Sequence, residues 1–232
     1  MQHTLQAEGF GIRLRPVQLE DAAFIVWLRN QEHARGRIGD SARHVCAQTV
    51  WLRTYFDRPD DYYFIIETTG AIPVGTYGFY DFQQDTAETG RWVIRLGVPA
   101  AVPSLVLALH LAFDVVKLRA LRAHTVASNR QVLSILRKMG FRQTGIELGA
   151  QVIGGRRVDL VTSVLTAENG AKARERLLGP ARWAEHRIIQ WGEMHRDDSQ
   201  FGVLKPGVGI AAGGFPAPSA ERKTRALIHV VS

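Results

Sequence analysis

The stretch from Ala120 to Phe141 limits the fold of this chain more than any other. Ala120-Leu121-Arg122-Ala123-His124-Thr125-Val126 reads as a strand. After a polar loop residue, Asn129, the residues Val132, Ile135, Leu136 and Met139 recur at the i, i+3, i+4, i+7 spacing of one helix face. Arg130, Arg137 and Lys138 fall off that face or at its margin. Gly140 suits the left-handed position that ends a helix, and Phe141 can then pack back on it. A strand, a tight loop and a capped amphipathic helix must therefore follow one another within a few residues.

The flanking sequence supplies partners for that unit. Ile12 to Val17 alternates as a strand; Leu19 to Asn30 is helical, with Glu20 and Asp21 in the favourable first turn; Ala42 to Phe56 is a second helix, halted at Arg58-Pro59. Tyr62 to Thr68 and Pro73 to Phe82 are β-branched and aromatic runs joined by a turn at Thr69-Gly70, which predicts a hairpin. Glu88 to Leu96 is a third antiparallel strand, with Trp92 and Ile94 on one face and Arg91, Val93 and Arg95 on the other. Pro103 to Leu118 is a long apolar helix with proline in its first turn. Strands near 142–150 and 156–165 close the series around Ile153-Gly154-Gly155.

After Thr166 the composition shifts. The chain divides into residues 1–166 and a basic extension, 167–232, in which Lys172 to Met194 is an amphipathic helix interrupted at Gly179-Pro180. Phe201 to Ala220 has the Gly, Pro and Ala content of a linker, and residues 226–231 read as either a strand or a loosely ordered end.

A hydrophobic content of 46% and a charged content of 22% belong to a globular protein with a core, not to a disordered one. The single Cys46 excludes an internal disulfide framework and any multi-cysteine metal site. Without an apolar segment of spanning length or a leader-like start, the expected place is the cytoplasm, away from membranes. The net charge is +7, and residues 171–232 contribute ten Lys+Arg against six Asp+Glu. These charges are dispersed, so a phosphate-rich small ligand is expected and nucleic acid is not. His110 sits in an apolar helix as a core or boundary residue, and His33 and His44 lack paired metal-ligand spacing, so no metal is expected.

The strand, Asn129, the short helix and its Lys138-Met139-Gly140-Phe141 ending resemble the acyl-coenzyme A end of the GNAT acetyltransferase superfamily. The element order matches over roughly residues 10–166. The resemblance implies an α+β fold, with a central, mostly antiparallel twisted sheet that contains a splayed strand pair and is flanked by helices. It also implies acetyl-coenzyme A as co-substrate, held by the strand around Ile94 and Leu96, by Gly97, Ala101, Val102 and Ser104 at the start of the long helix, and by Asn129 and Lys138. Asn129 is also a natural helix cap. Val98-Pro99-Ala100-Ala101-Val102-Pro103 departs from the glycine-rich family loop, since neither proline has an N–H. Leu136 stands where many relatives have a tyrosine that reprotonates the leaving thiolate, which leaves that step to Ser134, to water or to no acid.

For the acceptor amine, the resemblance points to Glu88 or Asp81 as a base acting through water, each otherwise a solvated turn carboxylate. Trp27, Arg29, Asn30 and Arg35 resemble a segment of aminosugar acetyltransferases that faces the acceptor, where the arginines would meet phosphate. Tyr77, Tyr80 and Trp92 are aromatic candidates for stacking on a sugar or base, although period-two alternation sets Tyr77 and Tyr80 on opposite faces. The implied activity is acetylation of a small acceptor, a nucleotide-linked aminosugar. The alternatives are a protein N-terminal, ribosomal-protein-like acetyltransferase, which shares the pattern at Glu88-Thr89-Gly90, and a non-catalytic acyl-coenzyme A binding module. A homodimer remains open.

Overall fold

The computed structural model describes residues 3–196 except 33, 35–37 and 40. The expected linker, the terminal 226–231 segment, His33 and Arg35 lie outside the described residues.

Eight strands form one sheet in the order β1-β2-β3-β4-β5-β6-β8-β7. They are β1 (Ala7–Gly9), β2 (Ile12–Pro16), β3 (Tyr62–Thr68), β4 (Pro73–Gln83), β5 (Thr86–Ile94), β6 (Ala120–Val126), β7 (Arg142–Ile153) and β8 (Arg156–Thr166). Every neighbouring pair is antiparallel except β5 and β6. That parallel pair requires a crossover, which the helix α3 (Ala101–His110) supplies. The other helices are α1 (Ala22–Arg29), α2 (Val45–Phe56), α4 (Arg130–Lys138) and α5 (Ala167–Met194). The architecture is α+β, as expected.

Helices cover both faces. Ile12, Leu14, Phe64, Ile66, Phe79, Trp92 and Leu121 point to one side and pack on α3, α4 and α5 in the larger core. Tyr63, Ile65 and Val93 point to the other side, against Phe24, Ile25 and Leu28 of α1 and Leu52 and Tyr55 of α2.

The α4 ending follows the sequence reading. Gly140 adopts φ +93°, the Phe141 amide donates to Leu136 O at 3.0 Å, and the Gly140 amide donates to Arg137 O at 3.0 Å, the two bonds of a Schellman motif. Two expectations need correction. The helix expected over Pro103 to Leu118 is α-helical only to His110 and widens into a π-helical turn over Leu111–Val115. The expected break at Gly179-Pro180 does not occur, because both residues are exposed while Ala173, Ala181, Ala184 and Ile188 anchor the opposite stripe. The lost amide bond therefore falls on the solvent side, where a helix bends at least cost. Strand β1 had no expectation at all.

The α5 helix joins the larger core along α3 rather than standing apart from it. Among the described residues, no helix is long and apolar enough to cross a membrane, and no group of three or more His, Cys, Asp or Glu is placed to hold a metal ion.

Candidate active site

The site begins where β5 and β6 part. They pair only at Thr86 with Ala120, Ala87 with Leu121, and Glu88 with Arg122. Beyond that point β5 runs on to Ile94 and β6 to Val126 with no bonds between them, although each keeps its outer neighbour. The facing backbone edges are left open, the condition under which an extended ligand can add as a strand.

A bulge marks the parting. The register between β4 and β5 shifts between Thr76 and Gly78, and Arg91 adopts φ +55°, a left-handed conformation unfavourable for a side chain of its size. Tertiary contacts hold it there. The Arg91 carbonyl accepts the Thr76 hydroxyl at 2.6 Å, and its guanidinium is ion-paired with Asp61 through both nitrogens, Nη2 donating to Oδ2 at 2.8 Å. The rings of Tyr80 (4.4 Å), Tyr63 (5.0 Å), Trp51 (5.5 Å) and Tyr55 (5.9 Å) surround it as cation-π partners. Although burial opposes its charge, Asp61 keeps the Arg91 proton bound more tightly than usual.

Glu88 belongs to the last pair before the parting and is 1% exposed. Its Oε1 accepts the Tyr80 hydroxyl at 3.2 Å, and its Oε2 is 3.0 Å from His124 Nδ1 on β6. That Nδ1 contact is close but poorly aligned, and no hydrogen bond satisfies the atom. Burial first, and the Glu88 charge second, push the Tyr80 phenol well above its ordinary range, so it stays protonated. Asp81 is elsewhere, exposed at φ +50°, with its carboxylate 3.6 Å from Arg122 and its carbonyl accepting from the same guanidinium at 2.9 Å. This is the environment of a turn carboxylate.

The far end of the gap meets α3 and α4. Ala101 and Val102 open α3, where amides have no partner within the helix. Pro103 occupies the third helical position, whose amide would also be unpaired, so it removes a donor without breaking a helical bond. Asn129 Oδ1 accepts the Val132 amide at 3.3 Å as a cap, and its Nδ2 is buried with no partner. Leu96 and Gly97 form the turn after β5, and Ile94 turns its side chain into the core with its backbone paired to Gly75. Lys138 is exposed at the end of α4.

Several candidates have their polar groups satisfied inside the protein. Ser104 is fully buried; its amide donates to Ala100 O, and its hydroxyl accepts from Trp92 Nε1 at 3.1 Å and donates to Ala101 O at 2.8 Å. Trp92 and Tyr77 are in the larger core, and the Tyr77 hydroxyl accepts from Thr89 at 2.6 Å. The side chains of all three, Ser104 expected at the cofactor and Tyr77 and Trp92 at the acceptor, face α3 and the larger core, on the side of the sheet opposite the α1 face.

On the α1 face, a cleft of about 1150 Å³ opens between the end of α1, the residues Ile38, Gly39, Ser41 and Arg43, and the β7–β8 turn. Trp27, Arg29 and Asn30 line it, and so do Arg43 and Arg156, which the sequence reading passed over. Asn30 Nδ2 is occupied, donating to Val26 O at 2.8 Å and Ala42 O at 3.0 Å, and so fixes the cleft wall. Burial pushes the Arg29 guanidinium below its ordinary value, with Tyr63 opposing and Arg91 adding to that shift. Arg29 Nε donates to Ser41 Oγ at 2.9 Å. Among the described residues, no carboxylate lines the cleft and none is ion-paired with Arg29, Arg43 or Arg156.

Comparison with known proteins bears on the family and the fold. The family model of the acetyltransferase (GNAT) domain matches residues 12–142. No curated protein matches the chain. Among solved structures, the chain is similar to a GCN5-related N-acetyltransferase from Brucella melitensis, at 17% identity and a TM-score of 0.67 over 76% of this chain and 85% of that one. It is also similar to apo FdhC, a nucleotide-linked sugar GNAT (23%, 0.63, 78% and 98%). A third is a mutant form of the spermidine/spermine N-acetyltransferase SpeG from Vibrio cholerae (17%, 0.61, 71% and 98%). At these identities the likeness is one of fold.

Proposed function

The chain belongs to the GNAT acetyltransferase family, and from that premise we propose that it moves an acetyl group from acetyl-coenzyme A to the primary amine of a nucleotide-linked aminosugar. One observation carries the choice of acceptor: three arginines that have no ion-pair partner among the described residues converge on a cleft whose described lining has no carboxylate. A guanidinium fork suits a diphosphate, and a half-buried one such as Arg29 has most to gain from an anion. A polyamine acceptor would bring several positive charges to the same place and would be repelled.

The residues around the gap fit the acyl donor. Acetyl-coenzyme A, when bound, supplies an activated thioester carbonyl. The open edge of β5 at residues 93–94 would pair with the amides of its arm, and the orphaned Asn129 Nδ2 would donate to it. The free amides of Ala101 and Val102, at the positive end of α3, would hold its diphosphate. The Arg91–Asp61 pair fixes the bulge, and so the position of the β5 amides beside the reacting carbon. Positioning of this kind supplies ~7–11 kcal/mol in favourable cases.

The test is turnover of acetyl-coenzyme A with a panel of nucleotide aminosugars, spermidine and peptides with free N-termini, read as thiol release and product mass. Turnover of a nucleotide aminosugar with at least tenfold preference over spermidine supports the proposal, and preference for the polyamine or the peptide refutes it.

A further inference from the structure

We propose that His124 is the proton acceptor of the transfer and that Glu88 acts through it as a positioning residue; this rests on the acetyltransferase chemistry above but not on the acceptor being a sugar.

Glu88 is enclosed. Tyr80 occupies one carboxylate oxygen and the His124 ring faces the other, so neither oxygen is left to meet an incoming amine. The ring has a second nitrogen, and 8% of its side chain remains exposed against 1% for Glu88. Nδ1 is a buried polar atom with no aligned partner, and a small ring rotation towards Glu88 Oε2 at 3.0 Å would satisfy it. A carboxylate that sets the tautomer and orientation of an imidazole leaves the other nitrogen to act as base.

The placement is the required one. His124 lies two residues past Arg122, the last β6 residue paired to β5, and so stands on the wall of the open gap. Val126, on the same face of β6, packs with Ile153 and Val158, and both of these line the cleft. On the opposite flank, Tyr80 touches Glu88 and contributes to the electrostatic surroundings of Arg29, another cleft residue. The His124–Glu88 pair therefore lies on the face of the sheet that bears the cleft, beside the opening between β5 and β6.

The chemistry balances without a further reagent. The amine nitrogen bonds to the thioester carbonyl carbon, and its proton passes to the neutral His124 ring, whose new charge the Glu88 carboxylate stabilises. The C–S bond then breaks with its electron pair on sulfur, and the imidazolium returns the proton to the thiolate. The ring ends as it began. Leu136, which cannot donate a proton, then leaves no step unserved.

Three variants of the full chain test this, with the wild type first assayed on the amine panel. His124→Asn keeps an amide donor near Nδ1 but has no base, and His124→Ala leaves space for a free imidazole. Both should lose about 10²–10⁴-fold in kcat, with coenzyme A affinity by calorimetry within twofold of wild type. Added imidazole should restore His124→Ala at least tenfold. In the free protein, the Nδ1 resonance of ¹⁵N-labelled His124 should move on Glu88→Gln. Histidine variants within threefold of wild-type kcat, or an Nδ1 signal indifferent to Glu88→Gln, overturn the proposal. A wild type that acetylates a peptide or polyamine and no sugar overturns only the acceptor assignment, and the variants are then compared on that amine. A wild type inert to every amine refutes both.

Discussion

The two faces of the sheet use the same strands for opposite purposes. Towards α3 and α5, Trp92, Tyr77, Phe79 and Ile94 form an apolar core whose few polar groups close locally, Trp92 on Ser104 and Tyr77 on Thr89. Towards α1 and α2, the same strands bury charge: Arg91 with Asp61, Glu67 between Arg13 and Arg15, and Glu88 beside His124. Arg15 also reaches Asp21, with 2.8 Å bonds to both carboxylate oxygens. A period of two makes this division possible, and the bulge at Arg91 sharpens it. One strand can therefore serve as scaffold on one side and as a wall of the candidate site on the other, with apolar packing and buried charge carried by alternate residues.

The sharpest break of that division is Arg91→Ala. It leaves the buried Asp61 carboxylate with only a long 4.0 Å contact to the exposed Arg58 and empties an aromatic cage, so a loss of about 3 kcal/mol is expected from the charge. Urea denaturation measures it. The double variant Asp61→Asn with Arg91→Met should recover much of the stability but not the activity, because the left-handed bulge loses its anchor. Full recovery of activity would mean that the bulge does not depend on the pair.

The second test uses pH and the apolar face. Burial pushes the Tyr77 phenol up to about 12, with the Thr89 hydrogen bond opposing. Because the folded value lies above the unfolded one near 10, its contribution is whole below pH 10 and is lost as pH rises towards 12. At 1.36 kcal/mol per pH unit this amounts to roughly 2–3 kcal/mol. Denaturation midpoints between pH 9 and 11.5 should fall less steeply in Tyr77→Phe. Equal slopes would show that tyrosines on the other face, Tyr80 among them, dominate the alkaline limb.

Gly170→Ala sharpens the contrast from the scaffold side. A Cβ there would lie 2.2 Å from Phe113 Cε2, where α5 packs on the π-helical turn that follows α3. Displacing that ring should cost about 1–3 kcal/mol and leave kcat unchanged, since the contact is on the face away from the cleft. A fall in kcat with unaltered thermal stability would contradict the separation of the two faces.

The scaffold was far more legible in the sequence than the site. The Gly140-Phe141 ending, the paired runs of β3 and β4, and the opposite facing of Tyr77 and Tyr80 each depend on residues close in the chain, where periodicity and capping decide the outcome. Strand β1 was invisible because Ala7-Glu8-Gly9 is too short to alternate. Trp92 and Ser104 looked exposed to ligand because sequence spacing does not show that they bond to each other. The cleft brings together Arg29, Arg43 and Arg156 from three distant segments, and no local pattern joins them. His124 did carry a signal, a titratable residue between Ala123 and Thr125 in a strand otherwise suited to burial, but its meaning needed Glu88 on the neighbouring strand.

The smallest expected effect concerns the cleft rim. Arg43 and Arg156 are exposed, so their attraction for a phosphate is screened, and each should contribute about 1 kcal/mol or less. Arg156→Ala should therefore raise KM for a nucleotide aminosugar roughly fivefold, with kcat, coenzyme A affinity and thermal stability unchanged. The difference from wild type should shrink as salt is raised from 0.05 to about 1 M, where the screening length falls to ~3 Å. Arg29→Ala should lose more and keep most of its effect in salt, because its guanidinium is half-buried. If Arg156→Ala instead leaves KM untouched at low salt while Arg29→Ala raises it, the anion is held at the base of the cleft and the rim arginines only colour the field around it.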